Sequence, residues 1–141
     1  MATPFGAPRL ISAEEQAVVE RLLHVASKDA PSPALLNSVG FLIVHSECQC
    51  GCDAICFKPH TRLGHRIAWG YGFICWGCPV ELMLWAHEGT LSFLELAPLT
   101  GNLARLPAPR SIRPLPRHFG KVRWPCTVPP RRSLIWLPGM P

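Results

Sequence analysis

The chain has 141 residues, of which 48% are hydrophobic, so it suits one domain with a modest core and is not disordered throughout. No stretch approaches the roughly 18 uninterrupted apolar residues of a membrane span, so no membrane partner is expected. The first residues lack a basic segment followed by an apolar run, which argues against a secretory signal. We therefore expect a cytoplasmic protein whose seven cysteines are thiols or metal ligands rather than disulfides.

The net charge of +5 hides an uneven distribution of charge along the chain. All nine acidic residues lie at or before Glu95, whereas eight of the fourteen basic residues and nine of the sixteen prolines lie from residue 103 onward. We therefore predict one folded domain over residues 1–114, followed by a basic, proline-rich and poorly ordered tail over residues 115–141.

Two helices are predicted near the N-terminus. Ser12-Ala-Glu-Glu15 is a capping box, in which the serine oxygen accepts a hydrogen bond from the Glu15 backbone and the Glu15 side chain reaches back. An apolar stripe at helical spacing follows it, consisting of Val18, Val19, Leu22, Leu23 and Val25. Pro31 is expected to end this helix, and a second short helix is expected at residues 33–37, with proline in its first turn. We expect both helices to pack on the core.

The middle of the chain is predicted to form strands. Val39–His45 is β-branched and apolar, and this pattern can continue through the cysteines to Phe57 with an interruption at Gly51. Residues 58–66 are typical of a loop, and residues 67–74 are expected to form a short strand.

A β-hairpin is predicted next. Residues 80–86 and 91–96 are two arms of strand length with a glycine between them, which favours a hairpin over a helix across residues 80–88. Glu88-Gly89 is the expected turn, because glycine accepts a positive φ. Together these elements predict an α+β fold: two N-terminal helices packed on a small antiparallel sheet of about four strands, with an irregular proline- and arginine-rich C-terminal tail.

Residues 46–57, SECQCGCDAICF, raise the main question about function, because they hold four cysteines within nine positions. One interpretation is structural. The alternation of a strand would place Cys48, Cys50 and Cys52 on one face, where thiols act as small apolar side chains.

A second interpretation is a zinc site. Cys75 and Cys78 have the two-residue spacing that places both sulfurs on one ion, and Cys50 and Cys52 form a tighter pair upstream. The candidate metal ligands are therefore Cys50, Cys52, Cys75 and Cys78, and the substitutes near them in sequence are Cys48, Cys56, His45, His60 and His65. A third interpretation, a thiol oxidoreductase using the downstream pair, requires a helix N-terminus there, whereas residues 79–86 fit a strand at least as well.

Several phrases occur in order along the chain: Leu22-Leu23, Leu35-Leu36, Cys50-Gly-Cys52 with Ile55 and Phe57, Val80 to Leu84, His87 to Ser92, Leu94-Glu-Leu96, and Leu106-Pro-x-Pro109. This set resembles a family of small uncharacterised bacterial proteins with an N-terminal helical pair, a CGCGC-like strand segment and a hairpin ending in a DG-L-S-x-LE phrase. The resemblance covers about residues 10–114 and implies a small α+β domain with no established reaction. By analogy, some similar small proteins accompany toxins as immunity proteins. The Cys75–Cys78 pair and the tail have no counterpart in the pattern.

No GxSxG, HExxH or phosphate-loop motif occurs, and no nucleophile–base pair stands at a useful spacing, so we expect no enzymatic activity. We predict a protein-interaction module of the immunity or antitoxin kind, which binds an unknown protein through the sheet surface or the acidic body. The alternative is a small zinc-binding module whose tail contacts nucleic acid, since its cations would neutralise phosphates and Trp124 and Trp136 would stack on bases.

Overall fold

The computed structural model describes residues 8–47, 53–58, 64–74, 78–99 and 105–115. This part of the chain forms helices and a mostly antiparallel sheet, which confirms the predicted α+β fold. The helices are α1 (Ala13–Ala26) and α2 (Pro33–Ser38), and the strands are β1 (Arg9–Leu10), β2 (Ile43–Val44), β3 (Ser46–Glu47), β4 (Ile55–Cys56), β5 (His65–Phe73), β6 (Pro79–His87), β7 (Thr90–Pro98) and β8 (Arg113–Pro114). No helix in these ranges is long and apolar enough to cross a membrane.

The main sheet has six strands in the order β3-β4-β7-β6-β5-β8, and all of its neighbours are antiparallel. Its centre consists of β5, β6 and β7, which have nine residues each, whereas the three outer strands have two residues each. β1 and β2 form a separate two-stranded ribbon in which Arg9 pairs with Val44. The outer strands are too short to leave a period-two pattern, which is why the sequence predicts fewer of them.

Helix α1 begins at the predicted capping box. The Glu15 backbone N–H donates to Ser12 Oγ at 3.1 Å, and the Ser12 backbone N–H donates to Glu15 Oε1 at 2.9 Å. The helix ends at Ala26, five residues before the predicted stop at Pro31. Ser27 is extended and bridges to Ala68 of β5, so pairing with the sheet ends the helix before the proline can.

The strand predicted at residues 39–45 is largely wrong. Residues 39–41 form a turn of 3₁₀-helix that continues directly from α2, and only Ile43–Val44 is a strand. Val39 is completely buried, so its apolar character serves the core rather than a strand. The predicted continuation to Phe57 as one strand is also wrong, because Glu47 pairs antiparallel with Ile55 and the chain must reverse between them. Cys48, Cys50, Gly51 and Cys52 lie outside the described residues.

The predicted hairpin is confirmed as β6 and β7. Both turn residues have positive φ, 53° at Glu88 and 79° at Gly89, which is the pattern of a two-residue turn that matches the twist of the strands. The strand predicted at residues 67–74 is confirmed as β5, which begins at His65. Part of the loop predicted at residues 58–66 is therefore strand.

The inner face of the sheet packs against α1 and forms the core. Gly70 of β5 lies so close to the helix that an added Cβ would be 3.1 Å from Leu22, and a Cβ on Gly72 would be 2.7 Å from Pro107. Residues 105–115 therefore close the core before β8 pairs with β5. The largest fully buried side chains are Val18, Val19, Leu22, Leu23, Val39, Val44, Ile55, Leu82, Leu84, Leu91, Leu94 and Ile112. The predicted tail from residue 116 onward lies outside the described residues.

Arg9 of β1 connects its strand to the buried Glu15 of α1 and to Glu47 of β3. Arg9 donates to both oxygens of Glu15, at 2.8 and 2.7 Å, and its Nε lies 3.1 Å from Glu47. Burial by itself would raise the pKa of Glu15, but the hydrogen bonds from Arg9 and Ser12 and the Arg9 charge together hold that pKa below its ordinary value. The hydrogen bond to Glu15 likewise raises the pKa of Arg9. These groups hold the N-terminal ribbon against the helix.

Candidate functional site

The side of the sheet opposite α1, called here the outer face, carries most of the aromatic side chains of the central strands. Along β5, β6 and β7, buried inner residues alternate with partly exposed outer ones. The outer face is formed by Arg66, Trp69, Tyr71, Phe73, Glu81, Met83, Trp85, Phe93 and Glu95. Aromatic rings, one thioether and a few charges thus occupy a surface that faces away from α1, although Phe93 also packs against the core.

A β-bulge in β5 determines which residues of this strand lie on the outer face. Arg66 pairs with Trp85, whereas the next paired residue is Ala68, opposite Leu84, so Ile67 is an extra residue in the ladder. Residues 66 and 69 would point to opposite faces of a regular strand, but the extra residue brings them to the same one. A second register shift follows Trp85 on β6. The bulge at Ile67 therefore brings Arg66 to the outer face, whereas the shift after Trp85 lies beyond the two rows described next.

The two rows are defined by the strand register. The first row is Arg66, Trp85 and Phe93, and the second is Trp69, Met83 and Glu95. Opposite residues on one face of an antiparallel pair have Cβ atoms about 5 Å apart, so each row is a continuous strip of contact.

Polar contacts hold the two indoles in place. The Nε1–H of Trp69 donates to Glu81, and that of Trp85 donates to Glu95 Oε1 at 3.1 Å. The guanidinium carbon of Arg66 lies 3.7 Å from the Trp69 ring centroid. Each indole N–H is therefore satisfied, and the large rings are ordered before any partner arrives.

The outer face carries two carboxylates, Glu81 and Glu95. Both are half-buried among apolar side chains, and neither Glu81 nor Glu95 forms a salt bridge within the described ranges. A carboxylate has about four lone-pair sites, so each can still accept donors beyond one indole. The face therefore combines apolar area with acceptors for a cationic or N–H-bearing group.

The predicted metal ligands are only partly described. Cys50, Cys52 and Cys75 lie outside the described residues, and Cys78 is 3% exposed at the start of β6. Among the residues that the structure describes, no group of three or more histidine, cysteine, aspartate or glutamate side chains could hold a metal ion. The zinc site therefore stays a prediction.

The strand register shows where the described residues on either side of the two cysteine-containing connections lie. The β3–β4 connection, which contains Cys50 and Cys52, begins after Glu47 and returns at Ile55, beside Leu94 of β7. The β5–β6 connection is closed by the backbone hydrogen bond from Ile74 N–H to Cys78 O at 3.0 Å. The described residues that flank both connections lie at the end of the sheet where β7 finishes.

The outer face was not singled out by the sequence, although part of its pattern was present there. Residues 69, 71 and 73 are aromatic at period two, and 81, 83 and 85 alternate with buried apolar residues. The strands themselves were predicted, but which side of each faces the helix depends on the bulge and the pairing register.

No protein-family model, curated protein or solved structure matches the chain. The resemblance to the small bacterial family therefore stays a prediction.

Proposed function

We propose that the protein is a non-enzymatic interaction module that binds a partner protein through the outer face of its sheet. The observation that carries this proposal is the pair of ordered indoles, Trp69 and Trp85, each fixed by a carboxylate and surrounded by further apolar side chains. Tryptophan, tyrosine and arginine are the residues that most often dominate binding energy at protein interfaces, and this face presents all three.

A protein fits this surface better than a nucleic acid does. The indoles could stack on bases, but Glu81 and Glu95 lie among them and would repel a phosphate backbone. Arg66 and Arg113, which pairs with Tyr71 at the sheet edge, are the basic residues that the described part of the outer face presents, and Arg66 is already stacked on Trp69. The carboxylates placed beside the two indoles therefore favour a partner that brings apolar groups and positive charge to that part of the face.

Site-specific photo-crosslinking tests the proposal. Phe93 is replaced by the photoreactive aromatic p-benzoylphenylalanine in cells that normally produce the protein, and Phe41 is replaced in the same way as the matched control. Phe41 is 81% exposed on the turn after α2, away from the outer face. We expect a protein adduct at position 93 that is absent at position 41.

The partner identified by mass spectrometry is then purified and its affinity measured. We expect Trp69→Ala to weaken its binding by about tenfold or more, as truncation of a central interface tryptophan does. Equal adducts at both positions, or a purified partner that binds wild type and Trp69→Ala equally, would refute a role for the outer face.

A further inference from the structure

We infer that the outer face takes an extended, proline-containing peptide of its partner in which an arginine follows a proline by three residues. This inference rests on the proposed function and adds the chemistry of the partner. The row Trp69–Met83–Glu95, which crosses β5, β6 and β7, carries it.

The spacing of this row matches the polyproline II helix. Neighbouring strands are about 4.8 Å apart, so Trp69 and Glu95, two strands apart, are separated by roughly 9.6 Å across the sheet. The polyproline II helix has three residues per turn and rises about 3.1 Å per residue, so residues i and i+3 are separated by about 9.3 Å on the same side. One peptide turn therefore spans from the indole to the carboxylate.

The apolar end of the row suits proline. Trp69 keeps 36% of its surface exposed, and Met83 lies beside it in the row. Grooves lined by aromatic side chains bind proline-rich segments because the extended helix is already formed and loses little conformational entropy on binding. A proline ring packed on Trp69 and Met83 would bury apolar area of both without disturbing the indole hydrogen bond.

The acidic end of the row suits arginine. Glu95 Oε1 accepts the Trp85 indole N–H, and the described residues supply no ion-pair partner for this carboxylate. An arginine at the third position after the proline would supply that charge through charge-assisted hydrogen bonds. Arg66, at the β5 side of the face, would repel a peptide bound in the reverse direction, so the charges also set polarity.

The test uses a synthetic nine-residue, proline-rich peptide with one Pro-x-x-Arg motif and the full-length protein. Binding is followed by tryptophan fluorescence and by titration calorimetry. A second peptide has citrulline in place of arginine, which removes the charge and keeps the shape. The protein variants are Trp69→Ala, Glu95→Gln and, as the matched control, Glu88→Gln in the exposed hairpin turn.

We expect saturable binding of the arginine peptide that Trp69→Ala and Glu95→Gln each weaken by about tenfold, with Glu88→Gln unchanged. The citrulline peptide should bind wild type about as weakly as the arginine peptide binds Glu95→Gln, and the two changes together should add little, since both remove one contact. Absence of saturable binding, or fully additive effects, would overturn the inference.

The same experiment distinguishes a partner peptide from two other ligands of the outer face, a segment of the chain itself and a second copy of the chain. The chain itself holds this spacing four times, at Pro59 and Arg62, Pro107 and Arg110, Pro114 and Arg117, and Pro129 and Arg132. The titration is therefore repeated with each of these four arginines replaced by alanine in turn. Peptide binding that appears only in one of these variants would mean that the chain's own segment is the ligand and would overturn a separate partner. A dimer by sedimentation velocity that Trp69→Ala dissociates would overturn it in favour of a second copy.

Failure of this inference is distinguishable from failure of the proposed function. A photo-crosslinked partner at position 93 that lacks any Pro-x-x-Arg segment would leave the interaction module standing and would overturn the peptide chemistry.

Discussion

The guanidinium carbon of Arg66 lies 3.7 Å from the centroid of the Trp69 ring, within the range of a cation–π interaction. This contact exists because Ile67 is bulged out of the β5 ladder, which brings residues 66 and 69 to the same face of the sheet. Nη1 of the same arginine also lies 4.0 Å from Met83 Sδ. A single irregularity in one strand thus joins the two rows of the outer face.

Removing Arg66 should destabilise the fold slightly and leave the outer face less ordered. Arg66→Ala is expected to lower the free energy of unfolding by about 0.5–1 kcal/mol, the range for an exposed cation–π contact. Arg66→Lys should keep part of this stabilisation, because an ammonium group can occupy the same place above the Trp69 ring. The measurement is urea unfolding followed by tryptophan fluorescence, with Arg110→Ala as a control away from the outer face. A stability of Arg66→Ala equal to that of wild type would contradict the contact.

The Arg9–Glu15 pair predicts a dependence of stability on pH. The pKa of Glu15 in the folded protein lies below its ordinary value, although burial acts in the opposite direction, because Arg9 and the Ser12 backbone hydrogen-bond the charged form. A depressed folded pKa contributes stability that is fully present above the ordinary value of about 4.3 and is lost as the pH falls through the folded value.

Glu15→Gln tests that dependence. At pH 7 we expect it to cost about 1–3 kcal/mol, since it removes the charge that Arg9 pairs with in a site that is largely buried. The difference from wild type should shrink as the pH is lowered from 5 to 3, measured by urea unfolding at each pH. Glu14→Gln, an exposed neighbour in the same helical turn, serves as the control. A difference that does not change with pH would show that the pair makes no contribution through its charge.

Gly72 tests whether residues 105–112 pack on the inner face. An added Cβ would lie 2.7 and 2.8 Å from two ring carbons of Pro107, which cannot bend away as a flexible side chain can. We expect Gly72→Ala to destabilise by about 1–3 kcal/mol, as overpacking does. At Gly40 a Cβ would meet only the Gln16 amide nitrogen at 3.2 Å, at the end of a flexible side chain, so Gly40→Ala should stay within about 0.5 kcal/mol of wild type. The thermal unfolding of both variants is measured. Equal stability of Gly72→Ala and Gly40→Ala would argue against close packing of Pro107 on Gly72.

Local chemistry accounts for the parts of the fold that were predictable. The capping box at Ser12 and the hairpin turn at Glu88-Gly89 are each fixed by residues a few positions apart, so the sequence displays them directly. Residues 39–41 were misread because an apolar, β-branched segment can equally be buried as a turn, and burial depends on distant partners.

The outer face depends on those distant relationships. Trp69 and Glu95 form one row only because two strand pairings, β5 with β6 and β6 with β7, set their register, and no local pattern encodes that. The cysteines were conspicuous in composition, yet composition alone could not show that their two connections leave the sheet at the same end.

The topology of the sheet bears on the predicted zinc site. The β3–β4 and β5–β6 connections begin and end at the same end of the sheet. The first contains Cys50 and Cys52, and the second contains Cys75 and Cys78. A shared zinc ion requires this arrangement, because each sulfur must lie about 2.3 Å from the ion. On the zinc interpretation, which is the alternative to a structural role of the thiols, protein purified without chelators should hold about one equivalent of zinc by elemental analysis and lose thermal stability when a chelator removes it. Cys78→Ser should lose the metal, whereas Cys56→Ser, a substitution in β4 outside the four predicted ligands, should keep it. A zinc content below about a tenth of an equivalent in wild type, or its survival in Cys78→Ser, would leave the structural interpretation of these thiols as the better one.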